Sequence, residues 1–266
     1  MHGPRLAILD GEVLPADEAR IPASDEGFLR GDGVFEVARL YQGRPFAWEE
    51  HLARMQTSAE NLRLPFDAAQ VDTDVRTLLA AAGPVDGAVR VVVTRGGARL
   101  ALVEDVREQP AAITLATVVY APTRILDGIK SLSYAANMLA GRLAVEQGAD
   151  EALLVTPHGR VLEAPTSAFF YVLTGDATLY TPPLDDHILD SITRRRLIGL
   201  TGAMERVTAR DDLARLDEAF LASSLREVQS VQAIDGRWLT SAPGDRTVEA
   251  ARLFSRMVAA DLGLDA

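Results

Sequence analysis

Gly128-Ile-Lys130-Ser-Leu-Ser-Tyr134-Ala-Ala-Asn137 is the stretch around which the chain is organised, because Lys130 is the only lysine in 266 residues. Lysine and arginine together number 27, so the surface cations are almost all arginine. A guanidinium serves salt bridges and solubility as well as an ammonium does, but it neither loses a proton near neutral pH nor condenses with an aldehyde. The chemistry that requires a primary amine is imine formation, in which a lysine holds a carbonyl or a cofactor covalently. The bland alternative is an arginine-rich composition that left one lysine by chance, and the residues around it decide between the two.

Downstream, Ala135 to Gln147 reads as a helix closed by Gly148 as C-cap. Strands are expected at Glu151 to Thr156, Val161 to Glu163, Ala168 to Leu173 and Thr178 to Thr181. Ile188-Leu-Asp190-Ser191-Ile192-Thr193-Arg194 then enters a helix with Asp190 or Ser191 as N-cap. Amides at such an entrance make an anion site of the kind phosphates use. Residues 217 to 222 and 226 to 234 read as strands joined by Ser223-Ser224, and Thr247 to Leu262 as an amphipathic final helix.

Upstream, a strand over Ala112 to Tyr120 leads through Pro122 to Asp127 into the lysine stretch. At the start of the chain, residues 5 to 14 read as a hairpin about Asp10-Gly11. Asp25-Glu-Gly27-Phe-Leu-Arg-Gly31-Asp-Gly33 holds three glycines in seven residues, a loop with unusual angles or a close approach. In Val34-Phe-Glu-Val-Ala-Arg39-Leu-Tyr41 the parity puts Phe35, Val37, Arg39 and Tyr41 on one side. Phe35, Arg39 and Tyr41 are therefore candidate walls of a partly polar cavity. Trp48, Leu52, Met55, Ala59 and Leu62 form the apolar stripe of a helix, with Arg54 just beside it, where an arginine either snorkels or holds an anion. A second helix ends at Gly83-Pro84, and Gly87 to Thr94 and Arg99 to Val106 are Val-rich strands around Arg95-Gly-Gly-Ala. Arg107-Glu-Gln-Pro110 breaks the apolar pattern, which places a domain boundary there: 1–108 and 109–266.

Composition sets the outer limits. With a net charge of −11 and arginines spread along the chain, neither nucleic acid nor an anionic membrane is an expected partner. The absence of cysteine removes disulfides, thiol nucleophiles and thiolate metal sites. His2, His51, His158 and His187 show no metal-binding spacing, and we expect no metal. No signal-peptide core precedes the first strand, and no apolar run exceeds the six residues Ala168 to Leu173, so we expect a cytoplasmic protein.

Four features cohere if a phosphate-bearing aldehyde cofactor is bound. Lys130 supplies the amine. Arg54 grips the phosphate, helped by the helix entrance at Ile192 and Thr193 and by the Ser224 hydroxyl. Glu163, at the end of its strand, is the carboxylate that would keep a pyridine nitrogen protonated.

Over essentially its whole length the sequence resembles the class IV aminotransferases, pyridoxal 5′-phosphate enzymes of fold type IV. The matching pieces are Asp25-x-Gly27-Phe28 with Gly31-Asp-Gly33-Val-Phe35-Glu36, the Arg54 helix, Lys130-Ser-Leu-Ser-Tyr134, Gly148-Ala-Asp-Glu-Ala-Leu, Val161-Leu-Glu163-Ala, Ile192-Thr193-Arg194 and the Ser223-Ser224 turn. The resemblance implies that Lys130 forms the Schiff base, Glu163 pairs with the pyridine nitrogen, Tyr134 lies near the ring hydroxyl, and Arg54, Ile192, Thr193, Ser223 and Ser224 hold the phosphate. It also implies an α/β subunit with a smaller N-terminal α/β domain and a larger C-terminal pseudo-barrel domain, assembled as a homodimer. The chain departs from relatives at Ser133, Pro165 and Ala168, where they carry Asn, Ser or Thr, and Asn.

The resemblance leaves the substrate open among D-amino-acid, branched-chain L-amino-acid and amine transaminases and 4-amino-4-deoxychorismate lyase. Phe35-Glu-x-x-Arg39-x-Tyr41 looks like the branched-chain group, whereas Val93-Thr94-Arg95-Gly96 looks like the D-amino-acid and lyase groups. Val37, where the lyase carries a hydroxyl residue, counts against the lyase. Arg39, Arg95 and Arg99, with Phe35, are the candidates for binding the substrate. The expectation is a D-amino-acid transaminase working with a 2-oxo acid such as 2-oxoglutarate or pyruvate, with the branched-chain enzyme as the alternative.

Overall fold

Residue parity builds the first sheet. The computed structural model describes residues 6–264; His2, and Arg5 at the start of the expected hairpin, lie outside them. In chain order come β1 (Leu6–Leu9), β2 (Glu12–Pro15), α1 (Glu26–Arg30), β3 (Gly33–Tyr41), β4 (Arg44–Pro45), α2 (Trp48–Leu62), α3 (Ala68–Ala82), β5 (Gly87–Thr94) and β6 (Arg99–Glu104). The strands make one antiparallel sheet in the order β2-β1-β6-β5-β3-β4. Val34, Ala38 and Leu40 of β3 share a face with Val89, Val91 and Val93 of β5. That face packs against Met55 and Ala59 of α2 and Val71, Val75 and Leu78 of α3. Each large side chain fully buried there contributes roughly 1.5–3 kcal/mol. The opposite face carries Phe35, Val37, Arg39 and Tyr41, as the alternation predicts.

The glycine-rich stretch before β3, expected as a loop, contains the helical turn α1. Asp25 caps it by accepting the Gly27 N–H at 2.7 Å, and Gly31 ends it at φ 69°. A side chain at Gly27 would collide with Thr94, whose hydroxyl donates to Asp25 at 2.7 Å; this approach explains the glycine.

The remaining elements are β7 (Ala112–Val119), α4 (Ala135–Glu146), β8 (Glu151–Val155), β9 (Ala168–Leu173), β10 (Leu179–Thr181), α5 (Ile192–Thr201), β11 (Met204–Glu205), β12 (Leu216–Ser223), β13 (Glu227–Ile234), β14 (Arg237–Trp238) and α6 (Asp245–Leu262). They form a mixed sheet in the order β11-β10-β9-β12-β13-β7-β8, with β14 on β13. Every residue of β9 is buried, which explains its continuous apolar run. Phe169 and Tyr171 enter one core, while Phe170 stacks on Phe220 from the other side, ring centroids 4.9 Å apart. Val161 to Glu163, expected as a strand, makes only a short antiparallel return on β8, in which the Leu154 N–H donates to the Glu163 carbonyl and the Leu154 carbonyl accepts the Leu162 N–H. Pro165 follows and cannot donate to a ladder, so the pairing stops.

The chain divides into two compact units. The first runs to Arg107 and includes Gly128–Tyr134; the second comprises Glu108–Asp127 and everything from Ala135. The lysine stretch, assigned by sequence to the C-terminal part, thus clusters with the N-terminal sheet. Among the described residues no helix is long and apolar enough to cross a membrane.

Candidate active site

Lys130 is held at its backbone from two sides. Its N–H donates to Ser58 Oγ of α2 at 3.1 Å, and its carbonyl accepts the Phe35 N–H of β3 at 3.1 Å. Leu132 N–H donates to Gly33, and Ser131 bridges Val34, so residues 130–132 run as a short extra strand beside β3. This places Nζ 4.3 Å from the Phe35 ring centroid and 5.6 Å from that of Tyr134. The two rings meet edge to face, 5.3 Å apart. The primary amine therefore stands in an aromatic corner built by β3 and its own segment.

Arg54, on α2, is gripped by a carboxylate that sequence reading had given no role. Glu36 is fully buried, and its two oxygens accept from Arg54 Nε at 2.6 Å and Nη2 at 2.8 Å. His51, one turn earlier and 1% exposed, places Nδ1 2.7 Å from Glu36 Oε2. Burial by itself would raise the Glu36 pKa. The Arg54 charge and the hydrogen bonds from His51 and Arg54 overcome it and hold Glu36 at about 2. A glutamate at a core-facing parity, with His and Arg three residues apart on the facing helix, was the available signal.

The three candidate arginines of this unit have different surroundings. Arg95 donates to Asp32 at 2.5 Å and to the carbonyls of Arg63 and Leu62. Arg99 pairs with Asp74 of α3 at 2.9 Å, on the helix-covered face of the sheet. Arg39 lies on the Phe35 face, its guanidinium 5.4 Å from the Tyr41 ring, and its Nε and Nη1 are buried without a hydrogen-bond partner. The sequence reading missed Arg90, a charged residue inside a Val-rich strand. It pairs with Val37 across the ladder, and its guanidinium carbon is 5.9 Å from the Phe35 centroid, steadied by both oxygens of Glu104 at 2.9 and 3.0 Å.

In the second unit Glu163 Oε1 accepts the Leu189 N–H at 3.0 Å. Burial first, and the Glu163 charge second, push the Tyr120 phenol above its ordinary pKa. Ser191 caps α5 by accepting the Arg194 N–H at 3.3 Å, so the Ile192 and Thr193 amides stand at the positive helix end without an intrahelical acceptor. Both residues are 2% exposed. Ser223 closes the turn after β12 by accepting the Arg226 N–H at 3.3 Å, with Ser224 next in the turn. Two of the departures from relatives are absorbed locally. Ser133 donates to the Gly31 carbonyl, and the Pro165 carbonyl accepts from Asn137.

The family model described as Amino-transferase class IV matches residues 33–234. The chain belongs to this family. As a class IV aminotransferase it is a pyridoxal 5′-phosphate enzyme of fold type IV. It is 31% identical to the D-alanine aminotransferase of Bacillus licheniformis, covering 90% of this chain and 92% of that one. It is 32% identical to a putative branched-chain-amino-acid aminotransferase of Methanocaldococcus jannaschii, over 86% and 88%. A hypothetical aminotransferase from Mycobacterium tuberculosis, solved in a PLP-bound form, superposes with a TM-score of 0.85 at 27% identity, covering 97% of this chain and 99% of that one.

The donor set of this aminotransferase fits its cofactor. In the first unit Lys130 carries a primary amine, which an aldehyde requires, and Arg54 a cation; in the second, Glu163 carries a carboxylate and the α5 entrance offers amides, so each unit by itself holds donor types suited to pyridoxal phosphate.

Proposed function

We propose that the enzyme moves an amino group between a D-amino acid, such as D-alanine or D-glutamate, and a 2-oxo acid. The carrying observation is that Arg39, with two buried and unpartnered donors, shares the Phe35 face with the Lys130 amine and Arg90. A buried guanidinium without an acid asks for an anion, so the substrate is a carboxylate and not a simple amine. The D-alanine aminotransferase relatives support the D series. The branched-chain relative supports the second reading, and the arginines of that face would serve its carboxylate equally well.

Pyridoxal phosphate, when bound, supplies an aldehyde for the amine exchange and a ring that takes up the electron pair left at the substrate α-carbon. Lys130 Nζ would hold the cofactor through its aldehyde and, as a free amine, would serve as the general base for the proton at the substrate α-carbon. Ser58 and Phe35 fix the lysine backbone, so the amine moves about its side-chain torsions alone. Glu163, oriented by the Leu189 amide, would keep the ring nitrogen protonated, and Tyr134 would serve the ring hydroxyl. Arg54, Ile192, Thr193, Ser223 and Ser224 would hold the phosphate, and Arg39 and Arg90 would orient the substrate carboxylate. The homodimer belongs to the same reading, supported by Met138, Leu139 and Val145, exposed on α4.

Mixing the holoenzyme with D-alanine, D-glutamate, L-leucine or (R)-1-phenylethylamine, one at a time, tests this. We expect the two D-amino acids to abolish the visible absorbance of the bound cofactor. Conversion by L-leucine alone would establish the branched-chain reading instead.

A further inference from the structure

Glu36 occupies a place where the core asks for an apolar side chain. It sits between Val34 and Ala38 on the inward parity of β3 and is 0% exposed. A buried ion pair is weak evidence of stability, since well-packed apolar residues of similar volume often do as well. What the carboxylate does is orient its partner. It engages Arg54 side-on, through Nε and Nη2 on its two separate oxygens, which turns Nη1 away from Glu36. The carboxylate is itself fixed, by His51 Nδ1 at 2.7 Å and more weakly by the Val37 N–H at 3.3 Å. An arginine without such a clamp samples many rotamers and loses that freedom on gripping a ligand.

We infer that Glu36 is a positioning residue: with His51 it fixes the Arg54 guanidinium in the orientation from which Arg54 grips the cofactor phosphate. This rests on the reading of Arg54 as a phosphate ligand. Glu36 touches neither phosphate nor substrate, and acts through Arg54. The Arg54 side chain keeps 13% exposure while Glu36 keeps none, consistent with a clamp behind a gripping edge.

The test uses apoenzyme titrated with pyridoxal 5′-phosphate and, separately, with pyridoxal, which lacks the phosphate. The ratio of Kd for pyridoxal to Kd for pyridoxal 5′-phosphate reports the phosphate grip without any turnover. Glu36→Gln is expected to lower that ratio about tenfold or more, a change on the order of one charge-assisted hydrogen bond, and to leave the Kd for pyridoxal within about twofold. A general loosening of the fold would weaken both ligands together and leave the ratio in place. If Glu36→Gln does not fold, Glu36→Asp carries the same comparison, since it keeps the charge and withdraws the carboxylate by one methylene. Arg54→Gln is the reference. A collapsed ratio in Arg54→Gln with a wild-type ratio in the Glu36 variants overturns the positioning role alone. An unchanged ratio in Arg54→Gln overturns the phosphate assignment and the inference with it.

Discussion

Arg39 and Arg99 lie on opposite faces of one sheet. The cross-strand row Val34, Val93, Arg99 belongs to the core-facing side, whereas Arg39 stands in the row of Ala88 and Glu104 on the side of Phe35 and the Lys130 amine. Arg99→Gln is therefore expected to leave KM for amino acids unchanged and to lower Tm, because Asp74, 5% exposed, loses its cation. Arg39→Gln should do the reverse. It should raise KM for carboxylate substrates about 10- to 100-fold, the weight of one lost charge-assisted contact, with Tm held or raised. Steady-state kinetics and thermal melts on the two variants check both arms.

Lys130→Ala is expected to remove transamination by about 10³-fold or more, since it deletes both the bonding amine and the base. Lys130→Arg should be as inactive, because a guanidinium preserves the charge over Phe35 but does not condense with an aldehyde. Borohydride reduction followed by peptide mapping should find the cofactor adduct at Lys130 in the wild type and in neither variant. An adduct elsewhere would remove Lys130 from the mechanism.

Gly33→Ala probes the seam that carries the lysine. A Cβ there would stand 2.5 Å from the Val93 carbonyl and 2.7 Å from Leu132 Cδ1, so either β5 or the lysine segment shifts. Destabilisation of about 1–3 kcal/mol is expected from the crowding, with slower cofactor capture. Thermal melts and stopped-flow absorbance are the measurements. Wild-type behaviour in both would mean that the segment is not held by this contact.

The Glu36 carboxylate gives a pH signature. Its pKa falls from 4.5 to about 2 on folding, so its contribution is complete above about pH 4.5 and is lost as pH drops toward 2. The shift corresponds to about 3 kcal/mol. Wild type and Glu36→Gln should therefore differ most in Tm at neutral pH and converge between about pH 4.5 and 2. A gap independent of pH would show that the ionised carboxylate is not what Gln lacks.

The sequence by itself determined that the chain holds one primary amine, that α2 has a stripe of Met55 and Ala59 to bury, and that β3 alternates between an apolar side and a mixed one. These are local facts of composition and period. Only the tertiary structure decided which arginines face the amine, because the face of Arg39, Arg90 or Arg99 follows from a register among strands far apart in sequence, and a slip of one residue exchanges the faces. It also decided that residues 130–132 join β3 and that Glu36 lies behind Arg54. Such partners are set by long-range hydrogen bonds and charge pairing in a core, and neither has a period to read.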